Sequence, residues 1–361
     1  MVRLLAQFFF GLNIAAALLL LVCFFLPFMP PSEFAQLTLL SLGVMPLIII
    51  NTLFAVFWMV NWDKRFVLSA VLVLLSLWHF EGLYQFGSSE LVLQERTGLK
   101  IMSYNVHLFS AYDHEPNPEI VARDIKSLLA KTEPDVLCLQ EYYLNHGADF
   151  SAYPYRHIYF KAPNKVLGHA IFSKYPIGET GSLEFRNTAN NTIYADVIFG
   201  SDTLRIYNVH MQSIGVVPQR SWELQGGAEG ISARMENAFA QQEEQVHALK
   251  EHRAASARPF VVAGDFNNTV FSHTYQQLKE GLNDAFYERG SGLGATYEFN
   301  GYPMRIDYIL TDPKWEVTSF ETMEQSFSDH RAIMAKISPV AKHTASQAPG
   351  VQGKTGSQDL N

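Results

Sequence analysis

The feature that most constrains this chain is the scarcity of charge in its first quarter. Residues 1–99 contain four Lys or Arg and five Asp or Glu, out of 27 and 35 in the 361-residue chain. Three apolar stretches lie there, and the first two carry no charged side chain. A helix that spans a membrane needs about 20 apolar residues. We therefore predict a transmembrane anchor over residues 1–86, with helices at about 4–29, 34–62 and 66–84.

The positions of Lys and Arg predict how this anchor is oriented. Arg3 precedes the first stretch, no Lys or Arg occurs from residue 4 to 62, and Lys64 and Arg65 follow the second stretch. Basic residues favour the cytoplasmic side. With three spans, the remaining chain lies outside the cytoplasm, and we expect an integral protein of a bacterial inner membrane with the bilayer as partner. If the third stretch, which ends near His79 and Glu81, does not span, that remainder is cytoplasmic.

Two other readings of the first stretch fit less well. A cleaved signal peptide would have a shorter apolar region and a small-residue cleavage site, which does not follow here. A lipoprotein box at Cys23 is poorly matched because Val22 precedes the cysteine. Few ionisable residues lie in the apolar stretches, which also argues against a transporter.

The remaining chain has the composition of a globular α/β domain. Residues 87–98 are polar and predict a linker, and residues 99–340 alternate between apolar strand patterns and helical patterns. Residues 100–361 carry a net charge of −7, from 23 basic and 30 acidic side chains. The tail, 341–361, is rich in Gly, Ser and Gln and is expected to be disordered. The two cysteines, Cys23 and Cys138, lie in apolar surroundings, so no disulfide is expected.

Polar side chains follow several of the predicted strands, at the point where each strand ends. One such residue usually marks only a turn, but six strand ends with an acid, an amide or a histidine are hard to explain in that way. Strand ends converge at the active sites of α/β sheets. Oxygen ligands suit Mg²⁺, and carboxylates and histidines can activate water and bind phosphate, so the set points to metal-assisted phosphoester hydrolysis. The residues are Asn105, Glu141, His210 with Gln212, Asp265 with Asn267, Asp307, and Asp329 with His330.

These residues lie in ordered motifs that resemble one known family. The segments SYNVH, DVLCLQE, YNVHMQS, VVAGDFN, RIDYIL and SDHRAI occur in this order and are similar to those of the endonuclease/exonuclease/phosphatase superfamily. The resemblance covers about residues 99–338. It implies an α/β fold, namely a four-layered sandwich of two mixed β-sheets flanked by helices. It also implies a hydrolase that uses Mg²⁺ or Mn²⁺.

The resemblance implies a role for each matched residue. Glu141 would be the principal metal ligand, with Asn105 beside it and Asp329 near the metal or at a second metal position. The catalytic residues are Asp265, which positions or deprotonates water; Asn267, which holds phosphate; His330, which stabilises the transition state; Asp307, which orients His330; and His210, on the leaving-group side. Arg305 is a further candidate for phosphate binding, or else a cover for the sheet edge. His169 is a weaker candidate for substrate contact.

The substrate is not fixed by these motifs. The acidic globular part, without a run of Lys or Arg, disfavours nucleic acid, because phosphate contacts dominate nucleic-acid affinity. The anchor favours a substrate of the cell envelope. We therefore expect a membrane-anchored phosphoesterase acting on a phosphodiester or phosphomonoester, such as a lipid headgroup or a small phosphoester. A membrane-bound nuclease and an inactive tethered binding module are the alternatives, and no protein partner is predicted.

Overall fold

The computed structural model describes residues 2–80, 84–87, 98–112, 116–145, 147–161, 167–215, 225–324 and 327–340. The predicted disordered tail, most of the predicted linker and the end of the third apolar stretch lie outside these residues. The α-helices are α1 (Val2–Cys23), α2 (Pro31–Thr38), α3 (Val44–Val60), α4 (Phe66–His79), α5 (Pro118–Thr132), α6 (Gly227–Ala254), α7 (His273–Lys279) and α8 (Ala285–Arg289).

Sixteen strands are described, twelve of which form two six-stranded sheets. The strands are β1 (Gln85–Phe86), β2 (Leu99–Asn105), β3 (Val136–Tyr142), β4 (Tyr155–Phe160), β5 (Gly168–Ser173), β6 (Ile177–Ser182), β7 (Asn191–Phe199), β8 (Asp202–His210), β9 (Phe260–Asp265), β10 (Asn283–Asp284), β11 (Ser291–Gly292), β12 (Tyr297–Phe299), β13 (Tyr302–Met304), β14 (Asp307–Thr311), β15 (Trp315–Thr322) and β16 (Ile333–Pro339).

The two sheets are mixed and pack face to face. The first has the order β15-β16-β2-β3-β5-β4 and the second the order β10-β14-β9-β8-β7-β6. Each contains one parallel pair, β2 with β3 and β8 with β9, among antiparallel neighbours. The inward-facing Val, Ile, Leu and Ala side chains form one fully buried cluster between the sheets. The predicted α/β sandwich of two mixed sheets flanked by helices is confirmed.

Helices cover the outer faces of both sheets. Apolar side chains of α5, including Val121 and Ile125, pack on the first sheet. Apolar side chains of α6 and α7, including Leu249 and Tyr275, pack on the second. After β9 the chain forms two short helices, α7 and α8, rather than one longer helix, because Gly281 takes a positive φ and Asp284 then caps α8 through its side chain.

The N-terminal helices differ from the predicted three spans. Among the described residues, one helical stretch, Arg3–Phe28, which joins α1 to the short turn of helix after it, is long and apolar enough to cross a membrane. The pair Pro31–Leu42 and Val44–Val60 would add a second span only if the two helices are counted together as one bent span. A bend of 54° separates that pair at Gly43. Pro46 lies in the first turn of α3, where proline is tolerated at a helix start. Helix α4 has only 14 residues. The expectation of three full-length spans was therefore wrong.

The N-terminal helices form one unit that docks on the second sheet's helical layer. Helix α4 runs alongside α1 in the same direction, since Arg65 Nη1 lies 3.4 Å from the Ala6 carbonyl oxygen and His79 Nε2 lies 3.0 Å from that of Phe24. The segment that joins α1 to α3 meets α6 and α7. Thr269 Oγ1 donates to the Ser41 carbonyl oxygen at 3.0 Å. Apolar residues of this unit and of α6 and α7 share one buried cluster.

Candidate active site

The strand pairing brings the predicted polar strand ends to one edge of the sandwich. In the second sheet, His210 at the end of β8 lies opposite Asp265 at the end of β9, and Asp265 lies opposite Asp307 at the start of β14. In the first sheet, Asn105 ends β2, and Glu141 lies in the adjacent β3. The sequence separations are large, so only the folded sandwich assembles this group.

Asp265 lies at the centre of the group. Its carboxylate is about 1 % exposed. Asn105 Nδ2 donates to Asp265 Oδ2 at 3.0 Å, and the Asn267 backbone N–H donates to Oδ1 at 2.8 Å. The Nε2 atoms of His330 and His210 lie 3.7 and 3.8 Å from Oδ2. Both sheets therefore contribute contacts to one buried carboxylate.

Glu141 lies beside this centre and is the more open of the two carboxylates. Asn105 Nδ2 lies 3.3 Å from Glu141 Oε1, and His210 Nε2 lies 3.7 Å from the same oxygen. The Glu141 side chain is 23 % exposed, which leaves it accessible from solvent. The backbone of Glu141 has a φ of 53°, in a region that costs a residue with a Cβ atom free energy. The irregular pairing of β3 with β5 at Leu139 and Tyr142 flanks this residue.

His330 and Asp307 form a buried hydrogen-bonded pair. His330 Nδ1 lies 2.9 Å from Asp307 Oδ2, and both side chains are almost fully buried. Burial alone would lower the pKa of His330, but the carboxylates of Asp307 and Asp265 together raise it above its usual value. His330 therefore carries a proton at neutral pH, and its Nε2–H lies on the side of Asp265.

The environment raises the pKa of Asp265 and lowers the pKa of His210. Burial is the main cause of the raised pKa of Asp265, and Asp307 adds to it, while His330 and the hydrogen bonds from Asn267 and Asn105 oppose it. Burial is also the main cause of the lowered pKa of His210. His210 is therefore neutral at pH 7.

The charge balance of the site favours a bound cation. Asp265, Asp307 and Asp329 lie near the imidazolium of His330, and Glu141 lies beside Asn105 and His210 at the same site. The site thus has more negative than positive charge, and a phosphoester substrate would add more. Hard divalent cations take carboxylate and amide oxygens as ligands, which Glu141, Asn105 and Asp329 provide. Among the described residues, Asp265, Asp307 and His330 also place one ligand atom each within 4.8 Å of one another.

The GDFN segment that carries Asp265 has a constrained backbone. Gly264 has a φ of 152°, and a Cβ atom there would overlap the backbone of Val209 on β8. Two residues after Asp265, Asn267 takes a left-handed φ of 50° and directs its Nδ2 to the Met211 carbonyl oxygen at 3.1 Å. These contacts fix the Asp265 carboxylate between β8 and β14.

Several supporting residues were missed by the sequence reasoning. Gln140 Nε2 donates to Asn208 Oδ1 at 2.7 Å across the two sheets, and Asn208 Nδ2 donates to the carbonyl oxygens of Leu139 and Ala170. This buried network lies one residue from Glu141 and two from His210. A sequence signal existed, because Gln140 and Asn208 are amides inside otherwise apolar strands.

The remaining predicted residues are placed as follows. Asp329 Oδ1 lies 3.2 Å from His107 Nδ1. Burial raises the pKa of Asp329, but His107 and His330 together lower it below its usual value. Ser328, next to it, donates to the Asn105 carbonyl oxygen at 2.7 Å. His169 is fully buried, with its ring centre 5.7 Å from that of His210.

Arg305 is not brought into the carboxylate group. Its Nη1 donates to Asp284 Oδ2 at 2.8 Å, and its guanidinium lies over the rings of Phe286 and Tyr308. The side chain is buried among these partners on the helical side of the second sheet. Its sequence neighbours Ile306 and Asp307, by contrast, donate their backbone N–H groups to Thr296 Oγ1, beside the site.

Comparisons with known proteins identify the family of the α/β part of the chain. The model of the endonuclease/exonuclease/phosphatase family matches residues 102–330. A second model, that of a domain of unknown function, DUF8431, matches residues 6–83. No curated protein matches this chain.

Several solved structures have a similar fold. An endonuclease/exonuclease/phosphatase from Beutenbergia cavernae is 17% identical, with a TM-score of 0.50 over 68% of this chain and 72% of that one. TDP2 of D. rerio, complexed with a single-strand DNA product, is 20% identical, with a TM-score of 0.50 over 67% of this chain and all of that one. The human Nocturnin catalytic domain with bound sulfate is 16% identical, with a TM-score of 0.50 over 69% of this chain and 97% of that one.

Because the family model matches well over half of the chain, the protein belongs to the endonuclease/exonuclease/phosphatase family. The resemblance predicted from the six motifs is confirmed. Members of this family are typically hydrolases of phosphoester bonds that depend on a divalent metal.

Proposed function

We propose that this protein is a membrane-anchored, Mg²⁺-dependent phosphoesterase of the cell envelope. The observation that carries the proposal is the grouping of three further carboxylates, Glu141, Asp265 and Asp329, at the site of the buried Asp307–His330 pair. Such an arrangement has an excess of negative charge unless a cation binds, and it holds a charged hydrogen-bond donor beside a carboxylate that can accept a proton.

The side chains have complementary roles in the proposed hydrolysis. Asp265 accepts a proton from the attacking water, because its raised pKa makes it a stronger base than an ordinary aspartate. His330 donates its Nε2–H to a phosphoryl oxygen and stabilises the charge that develops there. Asp307 keeps His330 protonated and fixes its ring. We assign Asn267 to holding the phosphate and His210 to the leaving-group side, the roles that the family resemblance implies.

The metal would be held by Glu141 and Asn105, with Asp329 near the same position or at a second one. When bound, Mg²⁺ or Mn²⁺ polarises the phosphoryl group and offsets the charge of the leaving oxygen. Asn105 Nδ2 donates toward both Glu141 and Asp265, so this side chain lies beside both carboxylates, and its Oδ1, the atom that could bind a metal, accepts the His107 backbone N–H.

The surface of the N-terminal helices supports a membrane location. Many large apolar side chains on α1, α3 and α4 face outward, for example Phe8 at 63%, Leu53 at 64% and Leu74 at 66% exposure. Exposed apolar patches of this extent mark contact with a membrane or a protein. In contrast, the interior of the helical unit is polar in places. Ser69 Oγ donates to Asn51 Oδ1, and Trp58 Nε1 donates to Asn13 Oδ1. Hydrogen bonds of this kind join helices within membranes.

Although α4 has only 14 residues, it runs alongside α1 in the same direction, from the end of the unit with the basic residues to the end near Phe24, and this supports an extracytoplasmic catalytic domain. Arg3, Lys64 and Arg65 lie at one end of the helical unit, and the domain docks at the other end, against residues 24–43. Basic residues favour the cytoplasmic end. The exposed rings of Trp62 and Trp78 lie near opposite ends of the unit, as interfacial tryptophans do.

The proposed activity is tested with the full chain in detergent micelles, with Mg²⁺ and with EDTA. The substrates are a chromogenic phosphodiester, a chromogenic phosphomonoester, plasmid DNA and phospholipid vesicles. We expect turnover of a phosphodiester or phosphomonoester that EDTA abolishes, that Mg²⁺ or Mn²⁺ restores, and that Glu141→Gln lowers by orders of magnitude.

Three outcomes would contradict parts of the proposal. Turnover that EDTA leaves unchanged would exclude the metal. Preferred cleavage of plasmid DNA would assign the protein to the nucleases instead. No turnover of any substrate would favour an inactive binding module. The anchor is tested separately by fusing a reporter enzyme after residue 340, where activity only in the cytoplasm would contradict the proposed orientation.

A further inference from the structure

Helix α6 carries two buried glutamines that contact segments of the active site. Gln242 is fully buried, and Gln245 is about 4% exposed. They are three positions apart, so they lie on the same face of the helix. The other side chains that α6 buries are apolar, among them Phe239 and Val246. The two amides are the exception on this face, and they need polar partners because a buried amide without a hydrogen bond costs free energy.

Gln242 joins the two chain segments that follow β8 and β9. Its Nε2 donates to the Gln212 carbonyl oxygen at 2.8 Å and to the Asn267 carbonyl oxygen at 3.3 Å. Its Oε1 accepts a hydrogen bond from Asn268 Nδ2 at 2.8 Å. One side chain thus uses both ends of its amide to hold the segment after β8 against the segment after β9.

Gln245 adds a second contact with the segment after β8. Its Oε1 accepts the backbone N–H of Gln212 at 2.8 Å, while Gln242 binds the carbonyl oxygen of the same residue. Both backbone polar groups of Gln212 are therefore bonded to α6. Gln212 lies two residues after His210, the histidine that we assign to the leaving-group side.

The contact with Asn267 bears directly on the central carboxylate of the site. Asn267 has a left-handed φ of 50°, a conformation that costs a residue with a side chain free energy. In this conformation its backbone N–H donates to Asp265 Oδ1 at 2.8 Å, and its Nδ2 lies 3.2 Å from Asp265 Oδ2. The hydrogen bond from Gln242 to the Asn267 carbonyl oxygen stabilises this conformation.

We propose that Gln242 is a positioning residue of the active site, which acts through Asn267 and the segment at Gln212. The inference rests on the proposed function, because it fixes Asn267 in the position from which that residue holds the phosphate. The proposed metal ligands Glu141 and Asn105 lie on β3 and β2 of the other sheet. Loss of the Gln242 amide should therefore weaken phosphate binding and turnover but leave metal binding unchanged.

The test replaces Gln242 by Met in the full chain, in detergent micelles. Methionine keeps the length of the side chain and removes the amide. We expect kcat/KM for the chromogenic phosphoester that the wild type hydrolyses to fall at least tenfold. The Kd of inorganic phosphate for the Mn²⁺-loaded protein should rise at least fivefold, while the Kd of Mn²⁺ itself should stay within twofold of the wild-type value. A thermal melt of each protein checks that it is folded.

Three further variants separate a positioning role from general support. Gln242→Asn keeps an amide that is one methylene shorter, so it should show the same losses. Gln245→Met removes the bond to the Gln212 N–H but not the contact with Asn267. It should lower kcat/KM at least threefold and leave the phosphate Kd within twofold. The matched control is Glu244→Met, which places the same side chain at an exposed position of α6 and should leave all three values unchanged.

The outcomes separate the inference from the proposed function. If the wild type hydrolyses the phosphoester in a Glu141-dependent way but both Gln242 variants keep its kcat/KM and phosphate Kd within twofold, the positioning role is wrong and the phosphoesterase stands. A parallel loss of Mn²⁺ affinity, or the failure of both Gln242 variants to melt cooperatively, would make Gln242 a general structural residue and would also overturn the inference. If no phosphoester shows metal-dependent turnover, the proposed function itself fails, and the inference fails with it.

Discussion

Replacing Asp307 by Asn tests the role of the buried Asp307–His330 hydrogen bond. The substitution keeps the size of the side chain but removes the charge that His330 Nδ1 contacts at 2.9 Å. Both groups are almost fully buried, so solvent does not compensate for the loss. Hydrogen bonds to charged groups contribute about 1.5–3 kcal/mol. If the transition state depends on the charged His330, this loss corresponds to a decrease in kcat/KM of about 10- to 150-fold.

The direction of the pH dependence follows from the same pair. The raised pKa of His330 keeps its proton through neutral pH, and activity should fall as the pH rises through that value. In Asp307→Asn, the charge of Asp307 and its charged hydrogen bond no longer raise the pKa of His330, so that pKa falls. The alkaline limb of the kcat/KM profile should therefore move to lower pH.

The assay is a pH profile of kcat/KM with a chromogenic phosphoester, together with a thermal melt of each protein. The matched control is Asp312→Asn. Asp312 follows the opposite end of β14 and accepts a hydrogen bond from the Lys314 backbone. It should leave the profile unchanged. An unshifted alkaline limb in a folded Asp307→Asn protein would refute the proposed role of the pair.

Three further predictions concern the rest of the site. The acid limb of kcat/KM should lie well above pH 4, the usual pKa of an aspartate, because burial raises the pKa of Asp265 and protonation removes the base; an acid limb near pH 4 would contradict this. Mg²⁺ at 100 times its Kd should stabilise the wild type by about 2.7 kcal/mol in a thermal melt and stabilise Glu141→Gln much less; equal shifts would place the metal elsewhere. Asn208→Leu should destabilise the domain by about 3 kcal/mol, measured by denaturant unfolding, because it removes the two buried hydrogen bonds to the Leu139 and Ala170 carbonyl oxygens; an unchanged midpoint would contradict the network.

The sequence predicted the sandwich through the resemblance of six ordered motifs to a known family. The active edge was also indicated by local patterns, because polar residues follow or flank apolar strands such as β3 and β9. The register then follows from the fold, so that His210, Asp265 and Asp307 lie on adjacent strands. The pairing of Asp307 with His330, implied by the resemblance, has a direct hydrogen bond in the structure.

Contacts between distant segments could not be predicted in the same way. Arg305 lies two residues before Asp307, and the sequence cannot tell that its side chain turns away to Asp284. The amides of Gln140 and Asn208 meet only because the two sheets face each other. The sequence marks each as an amide within a largely apolar strand, but it does not show which residue that amide meets.

The N-terminal region shows the limit of hydropathy. Composition identified an apolar region but not the bend at Gly43, which depends on local backbone geometry, nor the short length of α4. Composition also predicted an anchor joined by a linker, whereas Ser41 and Pro27 contact the catalytic domain directly. Docking of this kind depends on surface complementarity, which a hydropathy profile does not contain.

The central claim is that a divalent metal binds at Glu141 and that the Asp307–His330 pair acts on the phosphate from the other side. It is tested most directly by locating Mn²⁺ through its anomalous scattering in crystals of the protein. We predict a peak bonded to the Glu141 carboxylate, with Asn105 beside it. A peak bonded to Asp307 and His330 instead, the other carboxylate and histidine grouping of the site, would contradict the account.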